Sequence, residues 1–415
     1  MIYDIVIIGG GISGLYNYIK LIEKDKKILL LEKNNYYGGR IFQMNDNIES
    51  KKYSFPAGAA RFNKNHTHVV ELLKEFNLLD FRKDKPISAN MKFIDSKNNF
   101  ISSLQRENGF YYINKVILNS KKFSESYLRT LNFKELSNLI LTKEEIGYML
   151  IASGYSGQLK KMNAYDAIKL FTYDIHPKLL YYNGKFDILI ERMVKYLKNK
   201  KANIHLNSEA KHITFNKNKG LYKIEYNNKI VHGEKIIYCL PKEALLKMNI
   251  LTPIHCILDK SISCKSLCRT YAIFRKEDIW YKNLKKKIIT NNPLRYIIPL
   301  GGNNELIMIS YTDDIYTNYW KNIQNNQIKL KETIVKLVKN TYDININEPI
   351  KVYVCYWECG VAYWNKNIDS NKVSNFLLNP LPNIYICGEN YSINQSWVNG
   401  ALDSCKKCLE LVKTN

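Results

Sequence analysis

Strand, glycine turn, helix, strand, acid: the first 32 residues of this chain carry that order, and few folds accept it. Ile2 to Ile8 is an apolar run broken only by Tyr3 and Asp4. Gly9-Gly10-Gly11-Ile12-Ser13-Gly14 follows, then a helical stretch from Leu15 to Ile22, then Ile28 to Leu31 ending on Glu32. A nucleotide-binding βαβ unit needs these parts in this sequence. Gly9 permits the tight turn, Gly11 leaves the backbone open to a pyrophosphate, and Gly14 lets the helix pack close on the sheet. Ile12 and Ser13 open the helix, whose free N–H groups and positive dipole end favour phosphate. Glu32 sits where a carboxylate accepts hydrogen bonds from an adenosine ribose, and it would repel a 2′-phosphate.

The residues after Glu32 narrow the nucleotide. Lys33 follows it, and Gly38-Gly39-Arg40 comes six residues on. This pattern resembles the flavin-containing amine oxidoreductase superfamily, and is closest in feel to its L-amino-acid oxidases. In that family the Gly-Gly pair passes beside the flavin and the arginine faces the pyrophosphate. The resemblance implies an α/β fold: a Rossmann-like FAD-binding domain with an inserted α+β substrate domain.

Two further blocks carry the resemblance. Asn183-Gly184-Lys185-Phe186-Asp187-Ile188-Leu189 opens a helix to about Lys198. Strands follow at Ile204 to Leu206 and Ala210 to Phe215, then a Leu221–Tyr226 and Lys229–His232 hairpin, then a buried run from Lys235 to Pro241. In relatives the residue at about Ala210 touches the adenine through its backbone. Near the C-terminus, Ile384 to Cys387 reads as a strand, followed by Gly388-Glu389 and by Ser396-Trp397-Val398-Asn399-Gly400-Ala401 opening the last helix. This is similar to the superfamily's closing motif, in which the Gly-Glu pair approaches the ribityl and phosphates and the helix start near Val398 faces the flavin pyrimidine edge.

The FAD-binding domain is therefore expected from residues 1–80, 181–250 and 375–415. The substrate domain is expected from 81–180, mainly helical after Phe110 with helices near Leu141–Ser153 and Ala164–Tyr173, and from 251–374, with strands such as Arg269–Phe274 and Leu306–Tyr311.

Bulk properties set limits. A chain of 415 residues holds two cores. No 18-residue apolar run is present, and the first strand leaves no room for a signal peptide, so a cytoplasmic location is expected. The net charge of +24 comes from scattered lysines without a nucleic-acid signature, so no specific nucleic-acid or membrane partner is expected. Nine cysteines, an odd number, predict free thiols in a reducing compartment, all structural; no histidine cluster completes a metal site. The oligomeric state stays open, with a homodimer one option.

Amine oxidation at a flavin needs a dry, apolar slot that holds the substrate carbon and keeps the amine neutral. Trp397, in the aromatic position of the closing motif, is the first candidate wall. Tyr363, with Trp364, and Tyr296 are weaker ones. Phe55-Pro56-Ala57-Gly58-Ala59-Ala60-Arg61-Phe62 is similar to an element of L-amino-acid oxidases in which the arginine binds the substrate carboxylate. Gly58, Ala59, Ala60 and Arg61 are also expected beside the flavin, and Arg61 has the alternative role of bracing this loop or pairing with a phosphate. The lysine that most members hold near the flavin is not in register here: counting back from Ile279-Trp280 lands on Arg269 or Thr270, with Lys265 the nearest lysine upstream. No cysteine fits covalent flavin attachment, so the expectation is non-covalent FAD.

These readings converge on oxidation of an amine, favouring an L-amino acid, with O2 as acceptor. The alternatives are a polyamine or monoamine oxidase, a flavin desaturase or mutase, and a redox-dead relative.

Overall fold

The computed structural model describes residues 1–22, 26–88, 90–96, 100–300 and 304–414. It divides into two compact units. The first comprises Met1–Pro86, Tyr181–Cys264 and Asp369–Asn415; the second comprises Ile87–Leu180 and Lys265–Ile368.

The first unit is built on a seven-stranded sheet. Strand β1 (Ile2–Ile8) pairs in parallel with β2 (Ile28–Leu31) on one side and with the strand Lys229–Tyr238 on the other. The short strand Asn203–His205 extends the sheet beyond β2, and Ile384–Ile386 lies beside Lys229–Tyr238, both parallel. Ile5 to Ile8 are all buried, as covering both faces of a parallel strand requires. Helix α1 (Ile12–Ile22) buries nine residues, among them Leu15, Ile19 and Leu21, within the core that Met193, Leu197 and Leu402 share. Each such aliphatic side chain contributes about 1.5–3 kcal/mol by leaving water.

The expected hairpin turns at Asn227 and Asn228, whose φ values of 45° and 58° are left-handed. Asparagine tolerates that region, and two such residues close a tight hairpin. The strand after it corrects the sequence reading. Lys229–His232 and Lys235–Pro241 are not separate pieces; one strand runs from Lys229 to Tyr238. Gly233 makes this possible, because a Cβ there would stand 2.8 Å from Val6 Cγ2 on β1. The same strand thus serves the antiparallel hairpin first and the parallel sheet second.

The second unit contains a six-stranded sheet in the order Lys351–Trp364, Ile262–Ile273, Leu306–Asp313, Tyr296–Pro299, Lys287–Thr290 and Met91–Ile94. Helix Gln327–Tyr342 adds Leu330, Ile334 and Val338 to the apolar core formed by Ala272, Phe274, Ile307, Ile309 and Trp320. The expected helix near Leu141 begins at Lys143, because Thr142 is spent as its N-cap in a reciprocal capping box with Glu145. The expected helix Ala164–Tyr173 forms over those residues, capped by Asn163.

The cysteines depart from expectation. Seven are free, whereas Cys264 and Cys359 are disulfide-bonded. Among the described residues no helix is long and apolar enough to cross a membrane, and no cluster of His, Cys, Asp or Glu is placed to hold a metal ion.

Candidate cofactor and substrate site

The glycine turn after β1 is shaped by close approach. Gly9 has φ +110°, and a Cβ on it would lie 2.6 Å from the Cys239 carbonyl oxygen. A Cβ on Gly14 would lie 1.9 Å from the Gly9 carbonyl oxygen, so α1 meets the turn backbone to backbone. Gly11 differs: a Cβ there would meet nothing nearer than the Gly38 carbonyl oxygen at 3.9 Å. Gly39 and Gly388 are equally open, their closest neighbours being Gly11 Cα at 3.5 Å and Tyr391 at 3.8 Å. Three glycines from three parts of the chain therefore border a free space at the start of α1, where Ile12 and Ser13 begin the helix. A pyrophosphate fits such a cradle, since glycines let the backbone come close and a helix N-terminus favours the anion.

Glu32 is buried at the end of β2. Its Oε2 accepts a 2.7 Å bond from Gly10 N–H and its Oε1 a 2.8 Å bond from Asn34 N–H. Each oxygen keeps acceptor capacity for a ribose hydroxyl. The carboxylate thus also braces the glycine turn, a role the sequence did not reveal. Lys33 is exposed, and Ala210 is buried just past Ser208, whose N–H bonds the Glu32 carbonyl at 2.8 Å. Replacing Glu32 with alanine leaves two backbone donors unmatched and is expected to cost about 2 kcal/mol. A denaturant titration checks this, and Glu32→Gln, which keeps one acceptor, should recover part of the loss.

The Gly38-Gly39-Arg40 segment is fastened to the turn. Gly38 N–H bonds the Gly10 carbonyl at 2.9 Å, and Arg40 Nη1 lies 2.7 Å from Glu389 Oε2. Arg40 and Glu389, two expected cofactor residues, are therefore one ion pair. Glu389 Oε1 in turn accepts a 2.6 Å bond from Ser396 N–H.

Arg61 starts the strand Arg61–Asn63, which pairs antiparallel with Leu180–Asn183. The loop before it, with Gly58 in its bend, is held at Ala59 by the Arg40 carbonyl and at Ala60 by Gly184 N–H. Arg61 stands opposite Asn183, so Tyr181 lies diagonally on the same face, and the guanidinium carbon is 5.8 Å from the Tyr181 ring centre. Tyr181 stacks on Trp397, with ring centres 5.9 Å apart and planes 7° from parallel. The rings are too close for a ligand to enter between them, since two aromatic contacts in series need about 7 Å. They form one continuous aromatic surface. His66 supports it, its ring centre 4.7 Å from that of Trp397 and its Nδ1 accepting from Asn63 N–H at 3.4 Å. Among the described residues, no hydrogen-bond acceptor and no carboxylate pairs with the Arg61 guanidinium.

Trp397 and Arg61 are thus drawn together within the first unit, with Tyr181 between them. Sequence reasoning missed Tyr181 and His66. Val398 begins the closing helix Val398–Thr414, and the Asn399 side chain next to it accepts from the N–H groups of His68 and Val69, capping the helix Thr67–Glu75.

The other aromatic candidates belong to the second unit. Tyr363 and Trp364 are fully buried at the end of the strand Lys351–Trp364. Tyr296 is a buried core residue whose hydroxyl bonds the Ser153 carbonyl at 2.6 Å; burial raises its pKa far above the ordinary phenol range. Arg269 lies over the Tyr311 ring at 5.3 Å, Thr270 is buried, and Lys265 Nζ is 4.0 Å from Asp314.

Comparison with known proteins bears on the fold. The NAD(P)-binding Rossmann-like domain family matches residues 7–76. An uncharacterized protein of Acanthamoeba polyphaga mimivirus is 22% identical over 486 residues, covering 98% of this chain and 93% of that protein. Putrescine oxidase in its wild-type form bound to putrescine is 14% identical with a TM-score of 0.78, each chain covered completely (100%). A putrescine oxidase double mutant redesigned in cofactor binding gives 15% identity, a TM-score of 0.78 and the same full coverage (100%) of both chains. The chain therefore has the mixed α/β fold of putrescine oxidase, with a Rossmann-like dinucleotide-binding domain at its start.

Proposed function

We propose that this protein is an FAD-dependent amine oxidoreductase whose substrate carries a carboxylate, an L-amino acid. The cofactor assignment is supported by the free space bordered by Gly11, Gly39 and Gly388 and by the Glu32 carboxylate at the ribose end. FAD, held there without a covalent link, supplies the hydride acceptor that converts the amine to an imine, with oxygen as the onward acceptor.

The residues of the chain do the rest. The Tyr181–Trp397 surface is apolar and disfavours an ammonium ion, so it selects the neutral amine. Arg61 beside it offers a planar fork of donors that suits a carboxylate.

The observation that carries the substrate class is the Arg61 guanidinium, which has no carboxylate partner among the described residues and lies 5.8 Å from the Tyr181 ring centre. A guanidinium held at a partly buried site without an anion is ready to receive one from a ligand. The second reading, oxidation of a diamine, draws on the fold relative that was solved with putrescine. It places a dication near Arg61 in a chain of net charge +24, and like charges raise the cost of both approach and binding.

Short aliphatic carboxylates test the assignment. Titrated into the FAD-loaded protein, they should perturb the flavin absorption saturably, while the matching alcohols and amines should not. No perturbation, or an equal one from the amines, overturns the carboxylate reading.

A further inference from the structure

Four cysteines of the first unit meet behind the glycine turn. Cys239 follows the strand Lys229–Tyr238, Cys387 follows Ile384–Ile386, and Cys405 and Cys408 lie on the closing helix. Cys387 Sγ stands 3.6 Å from Cys239 Sγ and 3.7 Å from Cys405 Sγ. Cys387, Cys405 and Cys408 are fully buried, whereas Cys239 is partly exposed. Asn17 of α1 is fully buried too and aims its amide at the group. Its Nδ2 lies 3.1 Å from Cys387 Sγ, 3.4 Å from Cys405 Sγ and 3.6 Å from Cys239 Sγ. Its Oδ1 has no partner among the described residues. Sulfurs serving only as apolar filler gain nothing from a buried amide, which is costly to desolvate. An N–H donor among thiols instead stabilises the thiolate, the form that reacts.

Register singles out one pair. Tyr238 pairs with Ile386, and Cys387 N–H bonds the Tyr238 carbonyl at 3.0 Å, so Cys239 and Cys387 are the next partners along two parallel strands. Such strands lie about 4.8 Å apart, and a disulfide spans Cα atoms about 4.4–6.8 Å apart. Cys405 stands on a helix, and its thiol turns to the Ser13 carbonyl at 3.7 Å. Cys239 is also the member that an oxidant in solution can reach. Both strand ends border the phosphate cradle: Gly388 follows Cys387, and a Cβ on Gly9 would lie 2.6 Å from the Cys239 carbonyl oxygen. Closing the sulfurs to a bond of about 2.0 Å draws these two ends together and narrows the space between them.

We infer that Cys239 and Cys387 are a redox dithiol, and that its closure to a disulfide weakens dinucleotide binding at the cradle beside it. The oxidant is hydrogen peroxide. The Cys239 thiolate attacks one peroxide oxygen; an S–O bond forms, the O–O bond breaks, and the leaving hydroxide takes the thiol proton as water. The Cys387 sulfur then displaces the hydroxyl of that sulfenic acid; the S–S bond forms, the S–O bond breaks, and a second water leaves. The thiols together lose two electrons, and the peroxide is reduced to two waters. The packing around its sulfur raises the Cys239 thiol pKa, so closure is slow at neutral pH and quickens as pH rises. The effect on binding rests on the dinucleotide reading above; the thiol chemistry does not.

The whole protein is treated with hydrogen peroxide, remaining thiols are blocked, and disulfides are mapped on peptides by mass spectrometry. The parent should lose two free thiols, with Cys239 joined to Cys387, and faster in mildly alkaline buffer. Cys239→Ser and Cys387→Ser should not form this bond, and Cys408→Ser should behave as the parent. Dissociation constants for ADP and FAD are measured before and after. Oxidation should weaken ADP binding to the parent about 5–10-fold, and reduction should restore it. Cys239→Ser carried through the same cycle should stay within about two-fold. Thiols that all survive peroxide, a bond from Cys387 to Cys405 instead, or ADP affinity unchanged on closure overturns the proposal. A parent that binds ADP but not FAD overturns the FAD reading and leaves ADP to decide this one; a parent that binds neither overturns both.

Discussion

Replacing Arg61 with alanine should raise the Michaelis constant for L-amino acids about 100-fold, corresponding to loss of a charge-assisted, bidentate contact. Simple amines of similar shape should change by less than about three-fold. The contrast follows from what Arg61 touches. Among the described residues it pairs with no carboxylate, and it lies over the Tyr181 ring. Its removal should therefore cost little stability, within about 0.5 kcal/mol, and the thermal midpoint of the variant should stay near that of the parent. Arg61→Lys keeps the charge but loses the planar fork, so it should recover only part of the affinity. Equal losses for amines and amino acids would mean that Arg61 shapes the site without reading the carboxylate.

The second large effect separates two glycines of one turn. Gly14→Ala forces a Cβ to 1.9 Å from the Gly9 carbonyl oxygen, backbone against backbone in the core of the first unit. Neither side can give, and the loss should exceed about 4 kcal/mol, enough to abolish soluble folded protein. Gly11→Ala places its Cβ 3.9 Å from the nearest atom. That variant should fold with nearly unchanged stability and lose FAD, because the methyl group enters the space that the pyrophosphate needs. Soluble expression, thermal midpoint and FAD content distinguish the pair. A stable Gly11→Ala protein with full FAD occupancy would place the cofactor elsewhere.

What could be read in the sequence was local. The βαβ opening declared itself because periodicity, glycine spacing and Glu32 all fall within one short stretch. The turn at Asn227 and Asn228 was legible for the same reason: backbone preference sits in the residue itself. The misreadings involved contacts between distant segments. Lys229–His232 and Lys235–Pro241 were read as separate strands, and the close approach of Gly233 to Val6 lies within the single strand that joins them. Arg40 and Glu389, each expected beside the cofactor, also bond each other across 349 residues, which no local pattern could show. Tyr181 was one tyrosine among 31 and gained its place only by pairing diagonally with Arg61 and stacking on Trp397. Cys264 and Cys359 show the limit most plainly, since both were expected as free thiols and both are disulfide-bonded.

The central claim is that this chain oxidises a carboxylate-bearing amine at bound FAD. Anaerobic mixing of the FAD-loaded protein with L-amino acids, monoamines and polyamines tests it most directly. The account predicts that L-amino acids bleach the flavin band and that monoamines and polyamines act far more slowly. Bleaching by polyamines with none by amino acids would contradict the role of Arg61. Failure of every amine, in a protein whose flavin dithionite still reduces, would contradict amine oxidation itself.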